Sequence, residues 1–185
     1  MSTEHTAAPA IADMSEQMQI RLEKRAKLIE SGREAYPVGL LDSEGNRVEP
    51  NHIEDLRAEY DPKLESGELK AGDETDRVVH VGGRVVFVRN TGKLCFATLQ
   101  GGTEGKRIQA MLSLAEVGEE SLAEWKSLVD LGDHVFVTGR VIVSRRGELS
   151  IMVTDWKMAS KAIRPMPVLH KDLNEETRVR QRYLD

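Results

Sequence analysis

Between residues 77 and 158 the chain runs through three apolar segments rich in β-branched residues, one stretch of helical periodicity, and two more apolar segments. That order is what a small five-stranded barrel needs, with a helix between its third and fourth strands. The expected strands cover about 77–88, 94–99, 107–112, 135–143 and 148–158, and the helix about 114–131. Gly82-Gly83 predicts a bulge or sharp bend in the first strand, which a barrel of this size uses to coil on itself. Asn90-Thr91-Gly92, the Gly101–Gly105 segment and Arg145-Arg146-Gly147 read as turns. The helix reads as a plug for the barrel, with Trp125 in its packing.

The rest of the chain is appended to this core. Residues 1–13 are small and polar and are expected to be disordered, and 14–76 form a helical and loop extension. Asp13 is the expected helix cap, with Glu16 completing a capping box. Met18, Leu22 and Ile29 make the apolar face, and Gly32 ends the helix. Arg21, Lys24, Arg25 and Lys27 lie on its other side, either as a solvated face or as a contact for a polyanion. A second short helix is expected near 51–60, stopped by Asp61-Pro62. Residues 65–76 read as a polar loop into the barrel domain of 77–158, and 159–185 as a connection beyond it.

Charge and chemistry narrow the function. The net charge is −5, yet residues 1–76 hold 9 basic and 18 acidic side chains, while 77–158 hold 11 and 9. Six of those nine acids (Glu116, Glu119, Glu120, Glu124, Asp130 and Asp133) fall in or beside the helix. The strands and their loops are therefore basic, as a polyanion-binding surface requires. The single cysteine, Cys95, excludes an internal disulfide and sits in a strand as a buried thiol. Neither a signal peptide nor a membrane span is present in the sequence pattern, so a cytoplasmic location is expected. The five histidines are scattered without metal-ligand spacing, and no nucleophile triad or phosphate-loop motif occurs. Neither a catalytic nor a metal site is expected, and no cofactor is expected for this stretch.

A binding face is better supported. Barrels of this order, OB-folds, hold oligonucleotides or oligosaccharides across one face. Single strands are gripped by stacking bases on aromatic rings and placing basic groups along the backbone. Phe96 is the candidate platform, with core packing as the plain alternative. Arg84, Gln109 and Glu148 are polar residues set into apolar strand runs and are expected to converge with Phe96 around one base. A glutamine offers a donor and an acceptor, which matches the edge of a uracil. Asn90, Arg145 and Arg146 occupy hairpin loops where flanking nucleotides could touch. Two other readings fit less of the pattern: a non-specific single-strand-binding OB protein, and a structural barrel that meets only other proteins.

Gly83-Arg84-Val85-Val86, residues 92–100 from Gly92 to Gln100, Arg107-Ile108-Gln109, Leu131-Gly132-Asp133 and Gly147-Glu148-Leu149-Ser150 occur in an order that resembles the N-terminal anticodon-binding domain of class II lysyl-tRNA synthetases. Residues 161–167, from Lys161 to Pro167, and 177–185, from Thr177 to Asp185, resemble the hinge toward the catalytic domain of that family. The resemblance implies that Phe96 stacks on the central uridine of the lysine anticodon, that Gln109 and Arg84 bond its edge, and that Glu148 assists. It implies a parent ligase that joins lysine to tRNA(Lys) using ATP and Mg2+ and works as a homodimer. The ATP-binding motifs of that family are expected beyond Asp185, so this stretch alone is expected to bind tRNA and to lack ligase activity.

Overall fold

The computed structural model describes residues 15–41, 45–166 and 179. Five strands, β1 (Glu74–Thr91), β2 (Leu94–Gly101), β3 (Lys106–Ser113), β4 (His134–Val143) and β5 (Leu149–Ser160), close into a barrel in the order β1-β2-β3-β5-β4. Closure comes from β4 pairing back onto β1, so β1 serves both neighbours along its 18 residues. β3 and β5 run parallel, with Gln109 opposite Ser150, and the other pairings are antiparallel. Alternation along each strand sends Val79, Val81, Val85, Ala97, Leu99, Ile108, Leu112, Val137, Ile151 and Val153 inward, all essentially without solvent exposure. Burying such a side chain is worth about 1.5–3 kcal/mol, which drives the closure. The OB-fold barrel expected from the sequence is the one observed, with helical segments between β3 and β4 and a helix at the N-terminal side.

Several local expectations change. The bulge in β1 lies between Val85 and Phe87, not at Gly82-Gly83. Gly83 instead permits a close approach, since a Cβ there would lie 3.0 Å from the Leu99 Cβ. The helix after β3 is two pieces, α3 (Leu114–Val117) and α4 (Glu119–Leu128), because Gly118 takes φ +82 and breaks the turn. Leu122, Trp125 and Leu128 of α4 are buried, and Trp125 meets Trp156 of β5 edge-on, with ring centroids 5.2 Å apart. Trp125 thus packs the core, as expected. Cys95 is fully buried, and that burial pushes its thiol pKa up.

In the N-terminal extension, α1 spans Glu16–Glu30 and is capped by Ser15, whose hydroxyl accepts from the Met18 N–H. The expected cap, Asp13, lies outside the described residues. The chain turns at Gly32 with φ +80, where the helix was expected to end. The buried residues of α1 are Leu28 and Arg21, while Ile29 is half exposed. Arg21 turns inward because its guanidinium donates to the carbonyls of Leu131 and Ala162, each at 2.9 Å. Lys24 pairs with Asp130 at 2.5 Å, and Arg25 lies over the Tyr36 ring. Much of the basic side of this helix is therefore spent on the protein itself. Beneath it, the fully buried Lys161 amine bonds Asp130, Asp133 and the Leu128 carbonyl.

The second helix, α2 (Ile53–Glu65), runs through Pro62 where a stop was expected. Proline removes one backbone hydrogen bond near the C-terminal end, and the burial of Ile53, Leu56 and Tyr60 against the barrel outweighs it. The polar segment that follows is tied to β4. Gly72 donates to the Val143 carbonyl at 3.1 Å, Val143 donates to the Asp73 carbonyl at 2.8 Å, and β1 begins at Glu74.

Candidate nucleic-acid interface

An open cleft of about 760 Å³ runs across the outer face of β1, β2 and β3 and reaches the β4–β5 hairpin. The strand alternation that buries Cys95, Ala97 and Leu99 turns Phe96 and Thr98 outward, and the same alternation in β3 turns Gln109 and Met111 outward. Phe96 therefore lines the cleft and does not enter the core. Its neighbour across the ladder is Arg89, whose guanidinium carbon stands 4.9 Å from the ring centroid. The cation holds one side of the ring environment and adds positive charge beside a stacking surface.

Gln109 is fixed from two sides by β5. Its Nε2 donates to Glu148 Oε2 at 3.0 Å, and its Oε1 accepts from the Ser150 hydroxyl at 3.0 Å. The Ser150 hydroxyl also lies 2.9 Å from the Glu148 carbonyl oxygen, and Ser150 is fully buried. A carboxylate accepts only and so selects the nitrogen end of the amide; the single Ser150 proton is shared between Gln109 Oε1 and the Glu148 carbonyl, so the hydroxyl adds a weaker preference for the oxygen end. One N–H and one oxygen lone pair of Gln109 remain for a ligand.

Phe96, Gln109, Glu148, Arg145 and Arg146 thus share one cleft. Arg84 does not join them. It is exposed and stands opposite Gln100 on one side and His134 on the other. Four residues along β2 separate Gln100 from Phe96, about 13 Å at the usual strand rise. Arg89 occupies the place assigned to Arg84. The hairpin shows why: counting back from the Gly92-Lys93 loop pairs Thr91 with Leu94, Asn90 with Cys95 and Arg89 with Phe96. That count was available in the sequence; the extra residue of the bulge shifts the pairing by one, so that Arg84 faces Gln100 where an unbroken ladder would have set it opposite Gly101. Asn90 is exposed at the same hairpin and does not line the cleft. Phe87 and Ser150 were also missed, the first as an exposed ring in the cleft wall, the second because a serine in a strand carries no distinctive signal. Burial, then the Arg84 charge, holds the neighbouring His134 below the usual imidazole range.

Among the described residues no group of three histidine, cysteine or acidic side chains is placed to hold a metal ion. No helix among them is long and apolar enough to cross a membrane.

A closed five-stranded barrel with a basic, aromatic-bearing outer cleft defines a nucleic-acid-binding OB module, and residues 79–159 match the family described as an OB-fold nucleic acid binding domain. That match spans the barrel, somewhat less than half of the chain. Over nearly its whole length the chain is similar to lysine–tRNA ligases. It is 54% identical to that of Kineococcus radiotolerans over 94% of this chain and 32% of the relative. The ligase of Mycolicibacterium gilvum is 53% identical over the same shares, 94% and 32%. That of Photorhabdus laumondii is 37% identical over 100% of this chain and 34% of its own length. The chain spans about a third of the length of the curated relatives it matches. The resemblance read from the motifs is thereby shown.

Proposed function

We propose that this chain is the anticodon-reading part of a lysine–tRNA ligase and that its cleft reads one uridine of the lysine anticodon. The observation that carries the reading is the locked Gln109 amide beside the outward Phe96 ring. Phe96 supplies the stacking face and Arg89 sits against that ring. With the base pose set by the stack, Gln109 presents an oxygen and an N–H in a fixed order. Uracil offers the complement, a ring N–H beside a carbonyl oxygen, whereas cytosine offers a ring nitrogen beside an amino group, reversed at both atoms. A freely rotating amide would accept either base. Glu148, with a smaller contribution from Ser150, holds the orientation that suits uracil. Arg145 and Arg146, exposed on the β4–β5 hairpin, supply positive charge at the cleft rim for the phosphates on either side.

On this reading the parent protein joins lysine to tRNA(Lys) in the cytoplasm, with ATP and Mg2+ bound in a catalytic domain outside this stretch, and works as a homodimer. The partner of the present chain is the anticodon loop. Titration of a lysine anticodon stem-loop by fluorescence anisotropy tests it. Phe96→Ala is expected to weaken binding by about 1–3 kcal/mol. Equal affinity of the variant and the parent chain would refute the stacking role.

A further inference from the structure

The outer face does not end with the cleft. Across β1, β2 and β3 the ladder places Arg89, Phe96 and Met111 in one row, Phe87, Thr98 and Gln109 in the next, and Arg84, Gln100 and Arg107 in a third. The third row stands about 7 Å beyond Gln109 along β3 and about 13 Å beyond Phe96 along β2. Its two arginines are exposed and flank a half-buried glutamine. The glutamine is seated by the turn that follows it. Gly105 has φ +64, and a Cβ there would lie 2.8 Å from Gln100 Nε2, so the bare α-carbon makes room for this amide.

Outside the outer face and its rim, several arginines are neutralised. Arg33 pairs with Glu124, Arg77 with Glu59, and Arg140 with Glu116 and Glu74. The acid at the nearby turn, Glu104, is paired with Lys106 at 3.5 Å. Among the described residues neither Arg84 nor Arg107 has a carboxylate within ion-pair distance. Two guanidinium groups left uncompensated on one ladder row, with a half-buried amide between them, suit a ligand carrying negative charge at regular intervals.

We propose that Arg84, Gln100 and Arg107 form a second RNA subsite, which grips the phosphodiester backbone of the same strand whose base stacks on Phe96. At the about 3.4 Å rise of a stacked strand the separation corresponds to no more than roughly four nucleotides, and to fewer when the strand is stretched. That fits the about 4–16 nucleotides an OB-fold covers. The subsite rests on the anticodon reading above and extends it from one base to a track. It contributes affinity and no base preference, because phosphates carry no sequence.

The test is anisotropy titration of a lysine anticodon stem-loop over a range of salt concentrations. It compares the chain with Arg84→Gln, Arg107→Gln, the double variant, Arg84→Lys and Phe96→Ala. Each Arg→Gln change is expected to weaken binding several-fold at low salt and to reduce the slope of log K against log salt by about 0.7, the value for one phosphate of a single strand. Arg84→Lys should keep the slope, and the uridine-over-cytidine ratio should not move in any of the arginine variants. A double variant with the parent slope and affinity, alongside a weakened Phe96→Ala, overturns the subsite and leaves the anticodon reading standing. A base preference lost in the double variant also overturns it. If Phe96→Ala binds like the parent, the anticodon reading itself falls and the subsite with it.

Discussion

Replacing Ser150 with alanine isolates the orientation of the Gln109 amide from its presence. The hydroxyl's one proton is shared between Gln109 Oε1 at 3.0 Å and the Glu148 carbonyl at 2.9 Å, so its contribution to the amide is at most that of one neutral hydrogen bond, about 0.5–1.5 kcal/mol net. With it gone, Glu148 alone favours the native orientation, through an exposed carboxylate whose pull is weakened by solvent. The flipped amide then becomes accessible and offers cytosine its complement. The uridine-over-cytidine ratio should fall by up to roughly tenfold, mainly because cytidine binds better and only slightly because uridine binds worse. Paired stem-loops differing at the central base, titrated by anisotropy, measure the ratio directly. Urea denaturation of the same sample checks folding, since Ser150 is fully buried and its loss also frees the Glu148 carbonyl. The double variant Ser150→Ala/Glu148→Gln removes both restraints. An unchanged ratio in that double variant, with Gln109→Ala losing discrimination, would refute the locking argument.

The scaffold makes further predictions. Lys161→Met leaves Asp130 and Asp133 without their buried cation and should cost about 3–5 kcal/mol in urea unfolding, because removing one partner strands the others. Burial works against charge on Asp130, but the hydrogen bonds from Lys161 and Lys24 outweigh it and hold its carboxyl below the ordinary 3.8. Its contribution is therefore fully present above that unfolded value and lost as pH falls through the lower folded one, so stability should drop in that acidic window and Asp130→Asn should flatten the drop. Gly139→Ala should destabilise by about 1–3 kcal/mol or more in thermal melts, because its Cβ would lie 2.1 Å from the Met152 carbonyl oxygen, a backbone atom that cannot move without opening the β4–β5 ladder.

The barrel was legible because its signal is repeated: five alternating runs and one helical segment admit few closures, and turn residues separate them. The pieces that were not legible each depended on tertiary compensation. Pro62 looks like a stop until Leu56 and Tyr60 are seen packed beneath the helix. Arg21 looks like a solvated basic residue until two carbonyls from distant segments, Leu131 and Ala162, converge on it. In the cleft, Phe96, Gln109 and Glu148 could be picked out as polar or aromatic side chains at outward positions. The arginine was misplaced because its partner depends on register, which the two-residue hairpin loop at Gly92-Lys93 sets and the bulge at Val86 then shifts. Ser150 gave no sign of itself, since its importance lies in one hydrogen bond across a parallel strand pair.

The most direct test of the account is the affinity of the unmodified chain for two lysine anticodon stem-loops identical except for uridine or cytidine at the centre. A glutamine held in one orientation should favour uridine by about 1–3 kcal/mol, or roughly 5- to 150-fold. Equal dissociation constants for the two RNAs would contradict it.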